Sequence, residues 1–370
     1  MGEGPDPKIV LALNSGSSSL KFGLYAVGAT SLSTVLSEDS EAREGPDAAL
    51  DHVCALLADR KLPPPAIIGH RIVHGGPELT RHCLITPDVM TPLEVSIAFA
   101  PLHNPPALAL VHAAQKRFPG LPQVACFDTA FHASMPEVAS VLPLPRSLLA
   151  EGVRRYGFHG LSCESIVNQL GDDTPERLII AHLGNGASVT AVKAGRSIDT
   201  SMGLTPSGGV IMGSRSGDLD PGILLYLMRE KHLDAAALET LIDQHSGLLG
   251  ISGLSNDMRR LHGAAAEEPA AALAIEMFCY SVRKQIAAMI AALEGIDLIV
   301  FTGGIGENDP IIRSKICHGL AWAGVTDAYL DGDGSAVLLS SRSGGAVRVL
   351  PAREDEQIAR HSRDVVARAA

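Results

Sequence analysis

The sequence predicts an α/β chain of two related domains, and three observations carry that expectation. The chain has 370 residues, enough for two hydrophobic cores. Short β-branched runs alternate with helical stretches along its length. A strand, small-residue turn, strand unit occurs twice, around residues 9–27 and again around 178–192, with Asn14 and Gly184 lying 170 residues apart. That spacing is too long for a solenoid repeat and fits duplicated domains. The expected boundaries are residues 1–150 plus a C-terminal helix at about 356–370 for the first domain, and 151–355 for the second.

Composition excludes several classes. A formal charge of −11 disfavours nucleic acid as a partner, because binding a phosphate backbone requires a basic face. No apolar run approaches the roughly 20 residues of a membrane helix, and residues 1–7 lack the basic-then-apolar pattern of a secretion signal. The expected location is therefore cytoplasmic, with no membrane partner. Six cysteines without a C-x-x-C pair argue against a zinc or disulfide framework.

In chain order, the first hairpin places Asn14, Ser17, Ser19 and Lys21 around a turn of small residues. Read alone it is either an ordinary polar hairpin or a phosphate cradle of N–H groups and hydroxyls. Residues 30–48 are polar and acidic, and read as strand ends and a surface loop. A short helix from about Asp47 ends near residues 61–65. A strand then runs through Ile67 to the double glycine Gly75-Gly76, its alternation placing Arg71 and Val73 on one face. His70 and His74 are four residues apart, roughly 13 Å on a strand, too far to share one metal ion. Residues 92–100 read as a helix, and Asn104 as the N-cap of the next, with Pro105 in its first turn and His103 at its entrance. Asp128 falls at the carboxyl end of the buried strand 122–127, the edge where open α/β sheets bind ligands, unless it caps residues 129–134.

Tyr156-Gly157-Phe158-His159-Gly160 sets an aromatic and a histidine between glycines, with His159 expected to be presented rather than packed. The second hairpin carries His182, Leu183, Gly184, Asn185 and Gly186. Its recurrence favours phosphate binding at both hairpins. Arg215 lies in a Gly/Ser/Met-rich run, followed by Asp220-Pro221 capping a helix. A polar turn at residues 252–260 enters another helix, and a long helix at about 269–293 leads to the strand 296–301. Thr302-Gly303-Gly304-Ile305-Gly306-Glu307-Asn308 reads as a glycine loop before a helix, a frame for phosphate or adenosine that matches neither the dinucleotide nor the P-loop motif. Residues 331–345 read as surface turns. The acidic run Glu354-Asp355-Glu356 is either a favourable first helical turn or the holder of a hydrated Mg²⁺.

Together these segments resemble the acetate kinase family nearly end to end, through Asn14-Ser15-Gly16-Ser17-Ser18-Ser19-Leu20-Lys21, Gly69-His70-Arg71-Ile72-Val73-His74-Gly75-Gly76, Pro101-Leu102-His103-Asn104-Pro105, Phe127-Asp128-Thr129-Ala130-Phe131-His132, Tyr156 to Gly160, His182 to Gly186 and Gly304 to Asn308. The resemblance implies two duplicated actin/Hsp70/sugar-kinase-like (ribonuclease H-like) domains with an interdomain nucleotide cleft, usually as a homodimer. It implies reversible transfer of the ATP γ-phosphoryl group to acetate, giving acetyl phosphate and ADP, with Mg²⁺ or alternatively Mn²⁺. By the same resemblance Asn14 and Glu354 arrange the metal, and Ser17, Ser19 and Lys21 line the phosphate path. Arg71 holds the carboxylate and the migrating phosphoryl. Arg215, His159 and His103 face its equatorial oxygens, and Asp128 orients an arginine or a metal-bound water. His182, Leu183, Gly184, Asn185 and Gly186 line the triphosphate. Asp257, Met258, Arg259 and Gly304, Ile305, Gly306, Glu307, Asn308 hold adenosine, and Val73, Leu102, Phe158 and Pro206 form the methyl pocket.

Four departures stand out. Leu161 and Cys163 replace a threonine and a histidine, Arg353 replaces an asparagine before Glu354, and Ser207-Gly208 replace larger residues. The rival expectations are a propionate or other short-chain carboxylate kinase, an ATP-hydrolysing conformational protein, and a nucleotide sensor. An extra methylene in a pocket is worth only about 1–3 kcal/mol, so sequence does not separate the first rival.

Overall fold

Strand β1 (Lys8–Ser15) organises the first unit because its alternate residues serve both faces of a sheet. The computed structural model describes residues 7–15, 19–41, 45–325 and 345–370. The chain divides into two compact units: Met1–Ala133 with Gly160–Ser165 and Arg353–Ala370, and Ser134–His159 with Ile166–Ala352.

In the first unit β1 is followed by β2 (Ser19–Val27), β3 (Leu32–Glu41), helix α1 (Gly45–Asp59), β4 (Ile67–Ile72), β5 (Cys83–Leu84), α2 (Pro87–Val95), α3 (Asn104–Arg117) and β6 (Gln123–Phe127). The sheet order is β3-β2-β1-β4-β6-β5, with β1, β2 and β3 an antiparallel meander and β1, β4 and β6 parallel. Leu11 and Leu13 pack with Leu50, Val53 and Leu57 of α1 and Leu110 of α3 on one face. Val10 and Ala12 pack with Ile358 and Ala359 on the other. Those last two belong to the C-terminal helix, so helices cover both faces of a sheet whose central strands are largely apolar.

Beyond β6 come α4 (Glu137–Ser140), α5 (Arg146–Ala150), α6 (Gly160–Leu170), β7 (Arg177–Leu183), β8 (Ala187–Lys193), β9 (Arg196–Thr200), α7 (Pro221–Glu230), α8 (Ala235–Gln244), α9 (Gly247–Ser252), α10 (Met258–Ala264), α11 (Pro269–Leu293), β10 (Leu298–Thr302), α12 (Gly303–Asn308), α13 (Pro310–His318), β11 (Ala346–Val349) and α14 (Glu354–Ala369). The second sheet runs β11-β10-β7-β8-β9, again an antiparallel meander (β7, β8, β9) joined to parallel strands (β7, β10, β11). This repeats the first unit's order, with β5 as that unit's addition. The hairpins β1–β2 and β7–β8 open the two sheets, which is the duplication the 170-residue spacing predicts. Helix α11 buries Ala271, Ala274, Ile275, Phe278, Val282, Ile286, Met289 and Leu293, a stripe at helical spacing. No described helix is long and apolar enough to cross a membrane.

Several local expectations are corrected. The acidic stretch after Thr30 contains a ten-residue strand, β3. It lies at the sheet edge, where a strand can be mostly solvated and loses its apolar alternation. The helix expected from residue 92 begins at Pro87 and carries Pro92 inside it. Val73 lies beyond the end of β4, so strand alternation does not set its direction. Asn104 is the first residue of α3 rather than its cap. Its buried amide receives the His74 N–H and donates to the His74 carbonyl and Ser96 Oγ, fixing the loop after β4. The glycines after β10 are helical, forming α12 instead of a loop. Ser17 and the turns expected at 331–344 lie outside the described residues, and Ser19 is described only as the first residue of β2.

Candidate active site

In the first unit, polar side chains converge at the carboxyl ends of the parallel strands, with the start of α14 joining them. Arg71, at the end of β4, donates from Nε and Nη2 to Asp128 Oδ2 at 2.9 and 2.6 Å, and from Nη1 to Asn14 Oδ1 at 3.1 Å. Asn14 Nδ2 in turn donates to Asp355 Oδ1 at 2.9 Å and Glu354 Oε2 at 3.2 Å. Three of the five guanidinium N–H donors are thereby committed, which fixes the plane of the group and leaves two. Burial by itself would lower the Arg71 pKa, but the charges of Asp128 and Glu354 outweigh it and hold the guanidinium more firmly protonated than usual.

Asp128 follows β6 and is fully buried. Burial lifts its carboxyl above the ordinary range, and the Arg71 charge and hydrogen bonds oppose the rise. Its Oδ1 is buried with no partner among the described residues. The backbone carbonyl of Asp128 accepts the Gly160 N–H at 2.8 Å, and a Cβ at residue 160 would lie 2.2 Å from that oxygen. Gly160 is therefore required for close backbone approach. Burial likewise raises the Asp355 carboxyl, with the Asn14 hydrogen bond opposing and the Glu354 charge adding. Asn14, Glu354 and Asp355 present hard oxygen donors in one cluster, the set that suits a divalent cation such as Mg²⁺. Arg353 turns toward Glu356, with 3.8 Å between charged atoms. Lys21 faces Asn14 in the β1–β2 register, Val73 is buried just past β4, Leu102 is exposed, and His103 occupies the N-cap of α3.

The second unit gathers its polar groups around the β7–β8 turn. His159 holds a left-handed backbone at φ 57°. Its ring is buried, against the expectation that it would be presented, because the imidazole stacks on His182 with centroids 4.2 Å apart and its Nδ1 meets Ser188 Oγ at 3.0 Å. A Cβ on Gly186 would lie 3.2 Å from His159 Nε2 and 3.4 Å from Arg215 Nη1, so the glycine leaves both nitrogens over its Cα. Arg215 donates from Nη1 to the Pro206 carbonyl at 3.2 Å, and its loop docks on the hairpin through Gly213 N–H to the Asn185 carbonyl. The start of this loop is anchored by Arg155, which donates to the Thr200 carbonyl at 2.8 Å. Phe158 is buried, and Leu183 and Gly184 complete the turn, with Gly184 N–H donating to the Gly186 carbonyl.

Beside this turn, where Thr302 pairs with His182, Glu307 Oε1 accepts from Gly303 and Ala352 N–H groups, both at 2.9 Å, and thus ties α12 to the segment before α14. Asn308 donates to the Gly304 carbonyl. Asp257 caps α10 through the Arg259 N–H and pairs with the exposed Arg259 guanidinium, leaving Met258 buried behind it. Two residues escaped the sequence reading as individuals. Asp355 was legible only as one member of an acidic triplet, and Ser188 gave no signal, since its partner is 29 positions away.

The acetokinase family profile matches residues 36–360. An acetate kinase of Rhodopseudomonas palustris is 40% identical, the alignment covering 95% of this chain and 97% of that one. An acetate kinase of Deinococcus radiodurans is 42% identical, covering 96% and 98%. Among solved structures, a propionate kinase from Francisella tularensis superposes with a TM-score of 0.86 at 35% identity, and Porphyromonas gingivalis acetate kinase with 0.81 at 36%, each covering 97% of this chain and 100% of the other. The two repeated sheets and the clustered polar side chains at their strand ends are thus those of a known lineage: this chain belongs to the acetokinase family.

Proposed function

We propose that the protein is an acetate kinase, catalysing reversible transfer of the ATP γ-phosphoryl group to acetate. The observation that carries this reading is the Arg71 guanidinium, oriented by Asp128 and Asn14 with two donors left over, in a chain whose full-length relatives are acetate kinases. A carboxylate acceptor is already ionised at neutral pH, so no base is needed to unmask it. The difficulty is bringing two anions together. Arg71 binds the acceptor carboxylate by its remaining N–H groups and turns one oxygen toward phosphorus. That oxygen forms the new O–P bond as the β,γ-bridging O–P bond breaks, and ADP leaves with the electron pair.

Asp128 keeps Arg71 in plane and takes no proton. Arg215 and His159 donate to the equatorial oxygens, and His182 to Gly186 line the phosphates. Ser17, Ser19 and Lys21 extend the phosphate path, and His103 faces the acceptor. Asp257 to Arg259 and Gly304 to Asn308 receive the adenosine. Val73, Leu102, Phe158 and Pro206 surround the methyl group. Such catalysis is positioning and electrostatics. Asn14, Glu354 and Asp355 would hold Mg²⁺, or Mn²⁺ in its place, which neutralises phosphate charge when bound.

The test is trapping of acyl phosphate with hydroxylamine in the presence of ATP, Mg²⁺ and a series of carboxylates. Acetate-dependent hydroxamate is expected; ATP hydrolysis indifferent to carboxylate would instead support a conformational ATPase. The similarity to a propionate kinase favours a second reading, that propionate is the better acceptor, and the same series decides it by comparing kcat/KM. We also propose a homodimer in the cytoplasm. Leu273, Met277 and Tyr280 form an exposed apolar stripe on α11, the kind of face a second copy covers. Light scattering at twice the chain mass is the expected result.

A further inference from the structure

We propose that Ser188 is a positioning residue that donates its hydroxyl proton to His159 Nδ1 and so fixes the imidazole as the Nε2–H tautomer. The inference rests on the kinase reading for its consequence, but not for its geometry. Ser188 is fully buried on β8, and its Oγ lies 3.0 Å from His159 Nδ1. Among the described residues this is the hydroxyl's sole hydrogen-bond partner. Were Nδ1 protonated, it would donate to Oγ, and the Ser188 O–H would be a buried donor with no acceptor. Leaving a buried polar group unsatisfied costs about 1–3 kcal/mol. With Ser188 donating, both groups are satisfied and the ring proton must reside on Nε2.

The groups facing the ring within its unit reinforce the neutral form. His182 stacks on it from β7 at 4.2 Å between centroids, and the Arg215 guanidinium reaches the same space over Gly186. The fixed guanidinium charge opposes a positive charge on His159. A neutral imidazole locked as Nε2–H still donates a hydrogen bond, so His159 can serve a phosphoryl oxygen at neutral pH without being protonated. An unlocked neutral ring would also populate the Nδ1–H tautomer, whose Nε2 is an acceptor and cannot donate to a phosphoryl oxygen.

Two readouts test this on the intact protein. Long-range ¹H–¹⁵N spectra of protein labelled at histidine should show His159 as the Nε2–H tautomer, shifting toward Nδ1–H or a mixture in Ser188→Ala. In turnover with ATP, Mg²⁺ and acetate, Ser188→Ala should lower kcat about 10-fold or more at pH 8, with a smaller loss at pH 6 and KM for acetate within about twofold. Ser188→Thr, which keeps the hydroxyl, should restore the unsubstituted protein's kcat at both pH values, and Ser188→Cys serves if the alanine variant does not fold. In a His159→Ala background the serine substitution should have no further effect. An unchanged His159 tautomer in Ser188→Ala, or an equal loss with and without His159, would overturn the proposal. The spectra need no turnover, so a protein lacking kinase activity would refute the function and leave the tautomer result standing.

Discussion

Arg71 is the residue whose neighbours say most about the chemistry. A lone arginine can bind any anion; one held at Nε and Nη2 by a buried aspartate and at Nη1 by an amide can bind a planar anion in only one orientation. Asp128→Asn should therefore cut kcat roughly 10²–10³-fold, comparable to loss of a preorganised donor. The pH–rate profile should keep its acidic limb, since Asp128 accepts no proton from substrate. A limb that vanishes in the variant would show that Asp128 itself titrates during turnover and would contradict this reading. Asp128→Ala, which leaves Arg71 with a smaller set of partners in a largely buried site, should lower stability by about 3–5 kcal/mol in urea unfolding. A different buried group sets a stability limit at low pH. His70 is enclosed with Nε2 on Gln123 Oε1 at 2.8 Å, its Nδ1 has no partner, and burial pushes its pKa down to about 4. The unfolded chain binds that proton near pH 6.5 and the folded chain does not. Stability present at pH 7 should fall as pH drops from 6.5 toward 4, with a shallower slope in His70→Gln.

Two elements carry the site, and each offers its own test. The β7–β8 turn works by what it lacks. Gly186 has an ordinary backbone, so alanine is conformationally allowed, yet its Cβ would press on His159 Nε2 and Arg215 Nη1. Gly186→Ala should reduce kcat about 10²-fold with little change in melting temperature. Helix α14 is fastened differently. His361 Nε2 lies 2.6 Å from Glu164 Oε2, and His82 Nε2 lies 3.6 Å from the same oxygen. These side chains have metal-like proximity. However, the Phe127 N–H donates to His82 Nδ1 at 3.0 Å, so His82 Nε2 carries a proton and has no lone pair for an ion. The cluster is a hydrogen-bonded fastening. Burial would raise the Glu164 carboxyl, but the His361 hydrogen bond and the nearby His82 ring prevail and hold it at about 2. Its contribution is complete above the unfolded value near 4.3 and is lost as pH falls toward 2. Glu164→Gln should destabilise the protein by about 1–3 kcal/mol at neutral pH, a difference that narrows below pH 4.

At the scale of the whole molecule, duplication was the most legible property. Two hairpins 170 residues apart head two sheets with the same strand order, because a strand, small-residue turn, strand pattern is local and survives in sequence. The resemblance singled out Asn14 of the first hairpin, and the structure gives its bonds to Arg71 and Asp355. What stayed hidden depends on contacts across long separations. Asn14 meets Glu354 over 340 positions, Asn104 spends its amide on His74 instead of capping a helix, and Ser188 looks like any strand serine until the fold brings His159 to it. Strand β3 was lost for another reason, since an edge strand exposed to water lacks the alternation by which strands are recognised.

The central claim is that a carboxylate oxygen attacks phosphorus on this chain, and oxygen isotopes test it directly. With ATP, Mg²⁺ and acetate labelled with ¹⁸O in both oxygens, the ³¹P spectrum of the acetyl phosphate formed should show phosphorus bonded to one ¹⁸O. ATP consumed with no ¹⁸O reaching phosphorus, and inorganic phosphate as the product, would mean that water is the acceptor and would contradict the account.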